Sequence, residues 1–146
     1  MSQNRRETQS GSALIEFALY FSLMAMLGMA AVSFGMAVQN SVVVADAAYA
    51  GAAYGANSTY NSVSTTAIQQ VAVNAGPGEQ NLTATATFWC TCSPGGSTVS
   101  CSSSCSGDQP MYYVQVTASA TYPNFFHYGG LPATFTIQST CTMPVD

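Results

Sequence analysis

The chain has 146 residues, room for one small domain and an anchor. Charged residues make up only 5% of it, against ~25% in ordinary soluble domains. Hydrophobic residues reach 48%, so disorder does not account for the missing charge. Both basic residues, Arg5 and Arg6, precede the first apolar stretch. A chain with nothing else to neutralise phosphate is excluded from nucleic-acid binding and from a polybasic grip on anionic lipid.

Residues 1–11 are polar. Residues 13–38, ALIEFALYFSLMAMLGMAAVSFGMAV, then carry one charge, Glu16. At ~1.5 Å per residue such a helix spans about 39 Å, enough to cross a ~30 Å hydrocarbon core with some tilt. The two arginines just before it place the N-terminus in the cytoplasm and the rest of the chain outside the inner membrane. The run is longer than a secretory signal's apolar region and its helical character continues beyond it. Residues 39–56, QNSVVVADAAYAGAAYGA, are rich in alanine and free of proline. One helix is therefore expected from about Ser12 to Ala56, its second half leaving the membrane. Ala47, Gly51 and Gly55 recur every four residues and leave one face nearly bare, a pattern that permits close helix approach or reflects alanine's helix propensity alone.

A polar break at 57–62 precedes a short amphipathic helix with Val63, Ala67, Ile68, Val71, Ala72 and Ala75 on one stripe, stopped by Gly76-Pro77-Gly78. The remainder alternates with period two. Leu82, Ala84, Ala86, Phe88 and Cys90 oppose Thr83, Thr85 and Thr87. Tyr112, Val114, Val116, Ala118, Ala120 and Tyr122 oppose Gln115, Thr117, Ser119 and Thr121. Ala133, Phe135, Ile137, Cys141 and Met143 oppose Thr134, Thr136, Gln138, Thr140 and Thr142. These are three half-buried antiparallel strands, 82–90, 112–122 and 133–143, whose apolar face needs a cover. The second half of the long helix and the short helix are the available covers. The expected fold class is α+β: a long N-terminal transmembrane and stalk helix plus a short helix packed on a small antiparallel sheet.

Immediately before the apolar run stands Gly11-Ser12-Ala13-Leu14-Ile15-Glu16-Phe17. A carboxylate inside a membrane segment is costly, ~2.5–3.5 kcal/mol at the centre and less near the end, and the anchor offers Glu16 no basic partner. The motif resembles the prepilin cleavage signature of the type IV pilin superfamily, and its Glu-aromatic form is similar to the Flp and Tad (tight adherence) branch. SALIEFALYFSLMAMLGMAAVSFG and the Ala52-Ala53-Tyr54-Gly55-Ala56 stretch resemble the helix of TadE-like and TadG-like proteins, and YYVQVTASATYPNFFHYGGLPATFTIQSTCTMPV resembles their closing strands. The family's proline near position 20 to 22 is replaced here by Tyr20-Phe21-Ser22, the Arg after "GA" by Asn57 and the terminal Arg by Pro144.

What the resemblance implies is a minor pilin or pseudopilin precursor with a pilin-like fold. Residues 1–11 would be the leader, 12–56 the transmembrane and stalk helix, and 57–146 an extracytoplasmic head with a Cys-rich loop at 90–105. A prepilin peptidase would cut between Gly11 and Ser12. Glu16, flanked by Phe17, would pair with the new N-terminal ammonium of a neighbouring subunit. The implied partners are that peptidase, other pilins, the Tad assembly machinery and inner-membrane lipid. The head would end in the periplasm or on an extracellular pilus, acting in assembly and adhesion. The alternative is an uncleaved, signal-anchored binding module of the periplasm or surface.

Five cysteines occur, and Cys90, Cys92, Cys101 and Cys105 cluster. In an exported protein they read as two local disulfides joining the 90/92 pair to the 101/105 pair, with the pairing open. Zinc is the alternative, but a C-x-C pair is a poor knuckle. Cys141 is either a thiol on the apolar face of its strand or a further bridge. His127 is the sole histidine, with no partner pattern around it. The aromatic connection 122–132 is either a contact surface or core, through Phe125 and Phe126. N-x-S/T sequons stand at Asn57 and Asn81, a pattern common by chance. No nucleophile elbow, zincin, P-loop or dinucleotide fingerprint is present, so neither enzymatic activity nor a cofactor is expected.

Overall fold

The computed structural model describes residues 4–57, 59–76, 81–106, 109–123 and 133–145, with the backbone alone at 4–11, 60 and 61. Helix α1 runs Asn4–Ala56, α2 Thr59–Val63 and α3 Thr65–Asn74. The strands are β1 Thr83–Thr91, β2 Thr98–Val99, β3 Met111–Pro123 and β4 Thr134–Pro144. The chain divides into two compact units, Met1–Val38 and Gln39–Asp146, with α1 contributing to each. The expected α+β class is borne out.

In the first unit α1 from Ala13 to Val38 presents apolar residues around its whole circumference, with Glu16 its one charge. Leu14, Ile15, Leu19, Tyr20, Met24 and Phe34 are all exposed. Its hydroxyls turn back onto the helix: Ser22 Oγ donates to the Leu19 carbonyl and Ser33 Oγ to the Met29 carbonyl, both at 2.9 Å. This arrangement satisfies a serine where water is scarce. The helix starts at Asn4 rather than at Ser12. Residues 4–10 include good helix formers and no proline, and one glycine costs only ~1 kcal/mol in a helix, so nothing ends the helix at Gly11.

The second unit is an antiparallel four-stranded sheet in the order β2-β1-β3-β4, with α3 and the 39–56 portion of α1 against its apolar face. The alternation read from the sequence is the one observed. Val114, Val116, Ala118 and Ala120 of β3 are buried, and the β4 residues alternate between exposed and half-buried throughout. One core cluster joins Val44, Ala47 and Ala48 of α1 to Leu82, Ala118, Ala120 and Tyr122. A second joins Ala52 of α1 to Ile68 and Ala72 of α3 and to Val114 and Val116. Tyr122 stacks on Phe135, ring centroids 5.7 Å apart.

Alanine and glycine dominate the α1 side of this core, so the helix axis lies close to its neighbours. A Cβ added at Gly51 would stand 2.9 Å from Ala72 Cβ, 3.1 Å from Val116 Cγ1 and 3.3 Å from the Ile68 carbonyl oxygen. A Cβ at Gly55 would stand 3.0 Å from both Ile68 Cδ1 and Val114 Cγ2. The bare face of Ala47, Gly51 and Gly55 is thus filled from within the head, by α3 and the sheet.

The opposite face of the sheet is a lattice of hydroxyls and amides. Thr83 Oγ1 meets Ser119 Oγ at 3.0 Å, Thr117 meets Thr140 at 3.1 Å and Thr121 meets Thr136 at 3.2 Å, while Gln115 Nε2 donates to Thr142 Oγ1 at 3.1 Å. Cross-strand pairs of this kind contribute roughly 0.2–1 kcal/mol each.

Two details of this second unit depart from the sequence reading. The single expected short helix is two: α2 takes in part of the 57–62 break, and the chain kinks at Ser64 (φ −85°, ψ 69°) before α3. Ser64 holds the N-cap position without a side-chain cap bond, and its carbonyl accepts the Ile68 N–H at 3.1 Å. The sheet also has a fourth strand, β2, which pairs Thr98 with Thr91 and Val99 with Cys90. The loop bends back through Gly95, whose φ of +72° is the left-handed region that glycine enters without penalty. Of the expected helix stop, Pro77 and Gly78 lie outside the described residues.

Candidate functional site

Two regions carry the residues singled out by the sequence, and they lie in different units. The first is the start of the apolar helix. Gly11 and Ser12 stand within a continuous helical backbone. Glu16 is exposed and Phe17 lies one turn from Phe21, ring centroids 6.1 Å apart. In helical geometry the Gly11 carbonyl accepts the N–H of Ile15. A peptidase acting on the Gly11–Ser12 bond must therefore open one turn, which glycine makes easier than any residue but proline. No salt bridge to Glu16 exists among the described side chains. Among the described residues one helix, Ser12–Ala56, is long and apolar enough to cross a membrane, which fits a single-pass anchor.

The second region is the Cys-rich end of the sheet. Cys90 bonds to Cys101 and Cys92 to Cys105, with Cα–Cα distances of 5.1 and 5.4 Å. The sequence left zinc and disulfides open, and it left the pairing open. The structure has the four sulfurs in two bridges joining the 90/92 pair to the 101/105 pair in order. Cys90 is fully buried at the β1–β2 pairing. Cys141 is a free, half-buried thiol packed against both core clusters. His127 and the aromatic residues Phe125 and Phe126 lie outside the described residues.

One feature of this end escaped sequence reasoning. Trp89 and Tyr113, cross-strand partners on the outer face, lie with ring centroids 6.0 Å apart and planes 15° from parallel. The missed signal is the period-two position of Trp89 among Thr83, Thr85 and Thr87.

The chain thus combines an N-terminal helix that fits a single-pass membrane anchor with a disulfide-tied α+β head. Residues 11–53 match the family model described as TadE-like protein. The resemblance read from the sequence is borne out over that segment, which takes in Gly11, Glu16 and, of the small-residue face of α1, Ala47 and Gly51. No curated protein and no solved structure matches the chain.

Proposed function

We propose that this chain is a minor pilin or pseudopilin precursor of a Tad-type pilus, working by assembly and not by catalysis. The observation that carries the reading is a single carboxylate, Glu16, five positions after Gly11 in an otherwise uncharged anchor, inside the segment matched by the TadE-like model. A prepilin peptidase removes residues 1–11 at the cytoplasmic face. The helix waits in the inner membrane until the subunit joins other pilins, and Glu16 meets the ammonium of Ser12 on an adjoining copy. The head then stands in the periplasm or on the extracellular pilus, where it takes part in adhesion. Disulfides in the head support an oxidising, extracytoplasmic location.

Replacing Gly11 by a bulky residue should leave the full-length precursor in the membrane. N-terminal sequencing of the wild-type mature protein should begin at Ser12, and a Ser12 N-terminus in a strain lacking the peptidase would refute the assignment of that enzyme. Glu16→Ala should insert and be processed normally yet fail to assemble. Removing one member of a desolvated pair costs roughly 3–5 kcal/mol, enough to reduce sheared-pilus yield to background. Normal pili from that variant would rule out the pairing.

The unbroken helix through Gly11 favours a second reading, an anchored binding module that is never cut. Intact-mass measurement of the membrane-extracted protein separates the two, since only the pilin reading loses residues 1–11.

A further inference from the structure

Strand β4 forms one margin of the sheet. Its pairing with β3 runs without a bulge from Pro123↔Thr134 to Tyr113↔Pro144. Just beyond, the Val145 N–H donates to the Tyr112 carbonyl at 2.9 Å, which fixes the phase of the ladder. In an antiparallel pair the main-chain groups of successive residues point alternately toward and away from the partner. Met143, Cys141, Ser139, Ile137 and Phe135 therefore direct N–H and C=O at β3. Thr142, Thr140, Gln138, Thr136 and Thr134 direct theirs outward, where no described residue receives them. The opposite margin is different: β2 and the two disulfides occupy the end of β1, and α3 is in contact with that strand.

Natural sheets protect long margins with charge, proline, a bulge or a short strand. From Thr134 to Met143, β4 has none of these. It carries no charged side chain, and proline enters only at Pro144.

We propose that β4 is an interface for a second copy of this chain, its β4 pairing antiparallel to the first about a two-fold axis through Gln138. The register is self-complementary. Gln138 faces its own counterpart, Thr136 faces Thr140 and Thr134 faces Thr142, all outward-directed residues. Each of the five in each copy then donates one main-chain hydrogen bond and accepts one. The side-chain pairs formed are hydroxyl with hydroxyl and amide with amide, the chemistry already present between β3 and β4 at Thr117–Thr140 and Thr121–Thr136. Charge does not oppose this occupant. The chain is net −4, yet the strand that would meet its copy is neutral, so a copy approaches without facing like charges there. An isologous contact of this kind closes at two subunits. The inference is independent of leader cleavage and of the pilus reading.

The test uses the full chain in detergent. Nitroxides on Gln138→Cys, in a Cys141→Ser background, should show strong spin–spin broadening, because hydrogen-bonded antiparallel partners lie ~5.5 Å apart at Cα. Labels on Thr87→Cys, in β1, should show none. Thr136→Lys with Thr140→Lys places lysine against lysine across the axis and should weaken dimerisation about tenfold by light scattering. Thr136→Lys with Thr140→Glu places lysine against glutamate in the same register and should dimerise at least as well as the wild type. Circular dichroism checks that both variants fold. A monomeric wild-type chain, unbroadened Gln138 labels in a dimer, or equal loss of association in the two charge variants would each overturn the proposal.

Discussion

Gly51→Leu should abolish the folded head. At this position even a methyl group would stand 2.9 Å from Ala72 Cβ and 3.3 Å from the Ile68 carbonyl oxygen, and neither is the end of a flexible side chain. Relief requires moving α1 off α3, which also opens the cluster of Ala52, Ile68, Ala72, Val114 and Val116. Overpacking of well-packed cores costs ~1–3 kcal/mol for modest insertions, and a leucine adds three further carbons to the methyl. The loss should reach a large part of the ~5–15 kcal/mol that holds a domain of this size. Gly51→Ala should cost less, because alanine recovers about 1 kcal/mol of helix propensity. The internal control is Gly28→Ala, where nothing lies within 4 Å of the added carbon. It should leave the head's melting temperature unchanged. Thermal unfolding followed by near-ultraviolet circular dichroism ranks the three variants. Equal melting of Gly51→Leu and wild type would show that the bare helix face is not held against α3 and the sheet.

Removing both bridges should have an effect of similar size. The cysteines of the two bonds are separated by 11 and 13 positions. In the chain-entropy description each closure of this length stabilises by about 3 kcal/mol. The loops overlap, so the second bond closes a chain already constrained by the first and the pair adds up to somewhat less than twice that figure. Replacing all four cysteines by serine should lower the denaturant midpoint steeply. Cys92→Ser with Cys105→Ser should give the milder loss, because Cys90 is fully buried where β1 meets β2 and its bridge pins that pairing. Chemical denaturation of each double variant, with and without reductant, checks the order. A larger loss from the Cys92/Cys105 double variant would mean that the Cys92–Cys105 bond carries the structure of this end.

The alternating strands were legible because threonine recurs opposite small or aromatic residues with few exceptions, and period two admits one conformation. The apolar helix was legible for a similar reason: Glu16 is the one charge in the run 13–38, which is long and apolar enough to cross a membrane. The fourth strand was not legible, since Thr98 and Val99 are too few to show a period. They are held in place by a glycine turn and two bridges formed by other residues. Nor was the beginning of α1, where the polar composition of 4–11 says nothing about backbone conformation. The bare face at Ala47, Gly51 and Gly55 could be seen, but not its partner: small residues permit close approach without saying to what. Disulfide connectivity was beyond reach because both ways of joining the 90/92 pair to the 101/105 pair close short loops. Of the residues proposed for processing and assembly, Gly11 and Glu16 were read from the motif, while the outward-pointing half of β4, proposed as an interface, needed the ladder's phase, which only the pairing with β3 supplies.

The hydroxyl lattice on the outer face has an environmental consequence. Its cross-strand links are neutral at every position, from Thr83–Ser119 to Gln115–Thr142. Fresh water and brine differ chiefly in how strongly they damp charge–charge forces, and these links contain none. Mild acid or alkali finds no proton to move in a threonine or an amide. The sheet is thereby fastened by contacts indifferent to the salinity of whatever medium bathes it.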